Sequence, residues 1–383
     1  MTFLRSVFGL FGLLLVSGPA AGGPPVRVLR LPDGGMQPQT ATDAAGIVHL
    51  VYLAGDPGAA DVFYARLAPG AESIAQPVRV NDRRGSAIAT GTVRGAHIAL
   101  GRDGRVFVAW MGSKEAEPRA PGGAAPMLVA RTESPGGRFE PERNVLQHAV
   151  GLDGGGSIAA DGAGNVYVVW HGGAPGRGEV ARRIWMARSR DDGRTFASEV
   201  AVDPGATGVC GCCGMRAFAD AAGRLYMLYR AATEEVHRDM VLLRSEPGGA
   251  FASARVSEWN IKACPMSTAS IAPAGARVLG AWESQGQVYF GTLGSRSGET
   301  PQSIVAPGES GKRRHPAVAG NERGETLLAW TEGTGWQRGG RLAWQLFDAA
   351  GRAIGPMAET PGVPVWGLPA VAPQPGGGFV LVY

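Results

Sequence analysis

One pattern recurs along this chain and limits what it can fold into. A strand of small residues runs into a glycine-containing turn, and an alternating apolar strand follows that closes on Trp or Tyr. The pattern occupies 42–52, 98–110, 158–170, 218–229, 271–282, 318–330 and 371–383. Its closing aromatics are Tyr52, Trp110, Trp170, Tyr229, Trp282, Trp330 and Tyr383, spaced 58, 60, 59, 53, 48 and 53 residues apart. A copy this short cannot bury its apolar face alone. A period near fifty residues built from short strands fits an all-β ring of four-stranded antiparallel blades, a β-propeller.

The third repeat places four strands: 157–161 innermost, then 166–170, 184–188 and 199–202 outermost, with Gly162 and Gly164 in the first hairpin turn. No segment sustains a helical period. The seventh repeat stops at Tyr383 after two strands, while 26–31 reads as an outer strand without a blade of its own. Pairing these two ends closes the ring and hides both edges. The count is seven blades with the last one short; six blades plus an extra hairpin is the alternative.

Residues 1–22 stand apart from the fold. Arg5 gives a positive start, 7–16 is apolar apart from glycine, and Ala20, Ala21 and Gly22 follow, which is the layout of a secretory signal peptide. The expected product is a single propeller of residues 23–383, exported to the periplasm or the extracellular space. No later segment approaches the roughly 20 apolar residues of a membrane helix. Removing Arg5 lowers the formal net charge from +4 to +3, with acids and bases interspersed, which argues against nucleic acid or a membrane surface as partner. Sixty glycines and 27 prolines beside 44% apolar residues indicate many turns in a folded chain.

The turn between the third and fourth strands of repeat three reads Ser189-Arg190-Asp191-Asp192-Gly193-Arg194-Thr195-Phe196. It resembles the Asp-box (BNR repeat) of the sialidase superfamily, Ser-x-Asp-x-Gly-x-Thr-(Trp/Phe). Weaker copies stand at Ser134-Pro135-Gly136-Gly137-Arg138-Phe139 and Ser245-Glu246-Pro247-Gly248-Gly249-Ala250-Phe251. The resemblance implies a sialidase-like propeller across the mature chain. It also implies that the ligand face carries the loops from each outer strand to the next inner strand, and those joining second and third strands. It does not by itself transfer chemistry.

Three of the four cysteines lie in Cys210-Gly211-Cys212-Cys213-Gly214-Met215-Arg216, and the fourth in Cys264-Pro265-Met266. These segments lead into blades four and five on the ligand face and are neighbours around the channel. Three readings compete. Disulfides are the default in an oxidising compartment, with a bridge to Cys264 easier than a vicinal one between Cys212 and Cys213. A metal site of Cys210, Cys212, Cys213 and Cys264, completed by Met215 or a histidine, suits Cu(I) first and Zn²⁺ second. A redox-active thiol favoured by Arg216 is the third. His97, His148, His171, His237 and His315 map to the same face with Arg216, Arg238, Asp239 and Arg314, and only His49 falls inside a strand.

The family's sialidases clamp a substrate carboxylate with three arginines and use a Tyr–Glu pair and an Asp. Arg94, Arg216 and Arg314 stand where such a clamp is expected, and Asp153 and Asp239 are generic acids. The N-terminal Arg-Ile-Pro motif is missing and no late tyrosine faces the ligand side. The favoured reading is binding of a small molecule, a metal ion or a partner protein at a cysteine-centred site. An exo-α-sialidase-type glycoside hydrolase, or a disulfide-stapled interaction propeller, is the alternative.

Overall fold

A computed structural model describes residues 23–383 except 92, 135, 174–176, 204–206 and 295–300. The leader expected at 1–22 lies outside the described residues. Seven sheets form the ring, with inner strands Met36–Thr42, His97–Leu100, Gly156–Ala160, Arg216–Ala219, Ala269–Ala274, Arg313–Gly320 and Ala370–Pro373. Among the described residues there is no α-helix, and no helix is long and apolar enough to cross a membrane. Repeat three contains Gly156–Ala160, Val166–Gly172, Arg183–Ser189 and Val200–Ala201, each within two residues of its expected bounds.

Six sheets have four antiparallel strands, and the seventh differs in an instructive way. Val26–Leu29 lies directly beside Phe379–Val382 and runs parallel to it. In the four-stranded blades the outer strand is separated from the second strand, to which it runs parallel, by the third. Among the described residues this blade has three strands, and Val26–Leu29 pairs directly with the second. Phe379 N–H donates to Pro25 O at 2.9 Å, and Leu31 N–H to Tyr383 O at 2.9 Å. The expected closure is therefore present, in a three-stranded blade where four strands were the rule.

The closing aromatics explain why the ring holds. Trp170, Trp282 and Trp330 are fully buried, as are Trp110, Tyr52 and Tyr229 within a percent. Each of the seven apolar clusters takes residues from two adjacent blades: Trp170 packs in one shared by blades two and three, and Trp330 in one shared by five and six. Blade-to-blade packing is thus the core, and no single blade owns one. At the far rim, the turn at Ser189 is closed by the Asp191 carboxylate, which accepts from Thr195 N–H at 2.9 Å and Thr195 Oγ1 at 2.6 Å. Its neighbour Asp192 accepts from Arg105 of blade two at 2.7 Å, a second tie between blades.

Deleting residues 24–31 should lower Tm sharply and promote association, because the Phe379–Val382 edge loses its cover. An unchanged melting curve refutes the closure. Trp170→Ala should cost about 3–5 kcal/mol of stability in denaturant titration, since it opens a cavity between two blades.

Candidate functional site

The loop into blade four is held at both ends by backbone bonds. Val209 N–H donates to Glu179 O at 3.0 Å, Cys210 N–H to Arg230 O at 2.9 Å, and Gly214 N–H to Ser267 O at 3.0 Å. The last bond draws it against the segment leading into blade five. Space is so limited that a Cβ on Gly154, in the loop into blade three, would stand 2.5 Å from Gly211 O and 2.8 Å from Cys213 O. Glycine is required where backbones approach this closely.

The four sulfurs converge. Cys212 and Cys264 form a disulfide across 52 residues, while Cys210 and Cys213 are free and buried. Cys210 Sγ lies 3.5 Å from Cys212 Sγ, 3.5 Å from Cys213 Sγ and 3.7 Å from Cys264 Sγ. The Glu179 carboxylate reaches the same group: one oxygen lies within 4.8 Å of the sulfurs of both Cys210 and Cys264. Its other contacts are Gly211 N–H and Arg238, the latter at 2.7 Å. The hydrogen bond Cys210 donates to Cys213, together with burial, keeps the Cys210 thiol protonated far above its ordinary range. Burial pushes Cys213 up, but that same hydrogen bond, Arg230 and the amides of Ser267 and Met266 outweigh it and bring the thiol down to about 6. A hydrogen-bonded pair of buried cysteines thus lies beside a disulfide.

Beside Cys264 opens a cleft of about 690 Å³, lined by Trp259, Asn260, Glu283 and Arg314 among others. Glu283 is 1% exposed, and its Oε2 has no hydrogen-bond partner among the described residues. Burial raises its carboxyl to about 7, against the opposing pull of Arg230 and Ser267. Beneath it Arg230 donates to Glu283 O at 2.7 Å and stacks on Trp259 at 5.0 Å.

The other expected site residues separate into distinct places. Arg216 enters the central channel, a cavity of about 270 Å³ bounded by all seven inner strands. There it bonds Gln39 and, at 2.9 Å, His97 Nδ1, and burial lowers its guanidinium to about 9. Arg94 pairs with Asp153 at 3.0 Å. His171 and His315 are buried inside Val166–Gly172 and Arg313–Gly320, and His97 opens His97–Leu100, so His49 is not alone in a strand. Burial holds His171 and His315 neutral, each down to about 3, and His97 well below its ordinary value. His148 is exposed, and its backbone N–H binds Glu199. His237 bonds Asn260 at 2.6 Å, and Asp239 accepts from Trp259 N–H at 2.9 Å. Met215 packs in the core shared by blades three and four. Glu179, Arg230 and Glu283 were not singled out in the sequence. Glu179 sits in a second-to-third-strand loop, a position that the strand map alone assigns to this face, whereas no spacing marks the other two.

No model of a known protein family matches the chain, and no curated protein matches it. Solved structures do. A Hadza microbial sialidase superposes with TM-score 0.51 at 12% identity, covering 85% of this chain and 71% of its own. Penicillium chrysogenum α-L-arabinanase, complexed with arabinobiose, gives 0.51 at 12%, covering 84% and 95%. A PL25 ulvan lyase gives 0.50 at 11%, covering 92% and 87%. The fold is a sialidase-like β-propeller. At these identities the likeness concerns architecture, and the chemistry rests on the residues of this chain.

The raised Glu283 carboxyl makes a signed prediction. Between about 4.5 and about 7 the folded chain keeps a proton that the unfolded chain releases, so stability falls as pH rises through that window and levels above it. Glu283→Gln removes the charge, so its unfolding free energy relative to wild type should rise between about pH 5 and about pH 8, by on the order of a few kcal/mol at most. An unchanged difference across that window refutes the raised value.

Proposed function

We propose that the protein is an exported propeller whose ligand face binds a soft metal ion at its cysteine cluster, Cu(I) first and Zn²⁺ second. One observation carries this reading: sulfurs from two chain-distant loops meet at one point, with Cys210, Cys212 and Cys213 Sγ within 4.8 Å of one another and Cys264 Sγ 3.7 Å from Cys210. Thiolates suit soft ions, while the Glu179 carboxylate adds a harder donor compatible with zinc. In the disulfide form two thiols and Glu179 remain as donors, so a four-sulfur site requires the bridge reduced. The small-residue leader at 1–22 supports export. The cleft beside Cys264 offers room for an organic ligand or the tip of a partner protein at the same place.

The Cys212–Cys264 bridge favours a second reading, a purely structural staple. It ties the loops entering blades four and five, and in the loop-entropy picture a closure of this length contributes about 4 kcal/mol.

Protein reduced under anaerobic conditions and titrated with Cu(I) against a chromophoric chelator should take up about one ion per chain. Cys264→Ser should weaken that uptake by roughly tenfold or more while the far-UV spectrum stays that of the folded ring. A reduced chain that binds no ion refutes the metal reading.

A further inference from the structure

We propose that the four cysteines form a thiol–disulfide relay. In it one disulfide passes between a surface pair, Cys212 and Cys264, and a buried pair, Cys210 and Cys213, with a small external thiol as exchange partner. This goes beyond ion binding and does not depend on it. The geometry points to Cys210 as the hub, because its sulfur lies at contact distance from all three others: 3.5, 3.5 and 3.7 Å. A route for the bond between the two pairs runs through this sulfur, which lies beside the Cys212–Cys264 bond and must turn to its end for in-line attack.

Accessibility divides the pairs. Cys264 is exposed on the rim of the 690 Å³ cleft, whereas Cys210 and Cys213 are 0% and 3% exposed. A small thiol in the cleft can reach the surface bond and not the buried thiols. The loop also holds the hub in register, since Cys210 N–H is fixed to Arg230 O and Gly214 N–H to Ser267 O. Cys210 and Cys213 are three positions apart, and their sulfurs already share a hydrogen bond at 3.5 Å. A staple alone needs neither of these two thiols.

The transfer balances without an added oxidant. With the buried pair's one proton on Cys213, the Cys210 thiolate attacks Cys264 Sγ, and Cys212 leaves as thiolate. Cys213 then gives the proton to Cys212 and attacks Cys210 Sγ, and Cys264 leaves as thiolate. One bond has formed and one has broken at each step, and one proton and one negative charge are conserved. Exchange with the outside begins with an external thiolate attacking Cys264 Sγ, and a second thiol releases the external disulfide. That leaves the surface pair reduced, with two external thiols oxidised.

The test is a disulfide map of the chelator-treated full chain, equilibrated with reduced and oxidised glutathione at graded ratios. It is quenched in acid, alkylated and digested without reduction. The surface bond joins two tryptic peptides, and the buried bond stays within one, so mass spectrometry separates them. Wild type should show both isomers among molecules with a single disulfide. Cys213→Ser should stop at the hub and accumulate a bond from Cys210 to Cys264 or Cys212. A wild type that shows only Cys212–Cys264 at every ratio, with Cys210 and Cys213 both alkylated, overturns the relay. So does a Cys213→Ser chain in which Cys210 never forms a bond. If the variant fails to fold, the wild-type map alone decides. Because no ion is present, the result stands apart from the fate of the metal reading.

Discussion

Seven apolar interfaces, each shared between neighbouring blades, hold this molecule together, and the seventh exists only when the chain's two ends meet. Leu29 and Leu31 join Val380 and Val382 in the cluster between the last blade and the first. Without the parallel pairing of Val26–Leu29 to Phe379–Val382, that cluster would open and an unpaired edge would face water. The energetics are those of side-chain burial, of the order of 1.5–3 kcal/mol for each large side chain, and the aromatics closing the second strands supply the largest. The circle is what lets short, weak strands cooperate.

That circle also creates the site. Inner-strand starts are brought within reach of one another whatever their separation in sequence, so loops 52 residues apart share a disulfide. Charged groups on this face are held by partners. Glu179 meets Arg238, Arg230 braces Glu283 and stacks on Trp259, and Arg94 meets Asp153. The Arg230 guanidinium also draws the buried Cys213 thiol downward. In this setting a sulfur cluster is not an isolated feature. Its protonation is set by guanidinium and amide groups contributed by blades four and five.

The channel and the cysteine cluster are separate environments, although both lie at inner-strand starts. Arg216 turns inward to Gln39 and His97, away from any carboxylate that its burial would otherwise favour. Arg94 is spoken for by Asp153. Neutral His171 and His315 act as buried framework: His171 Nε2 accepts from Gly154 N–H at 3.2 Å and so fixes the loop that presses on Gly211.

The repeat, its closing aromatics and the two unmatched ends were enough to determine the ring, because period and apolar alternation act locally and depend little on distant partners. The adjacency of the cysteine segments followed from the same strand map. Tertiary structure alone decided the rest. The last blade's closing pair is parallel, because the N-terminal strand sits directly beside the second strand. Burial turned three expected face histidines into neutral framework and moved Met215 into the core, because side-chain direction within a strand is set by packing on both neighbours. Glu283 and Arg230 became site residues for the same reason: their role comes from what lies across the interface between blades, and no spacing along the chain records that.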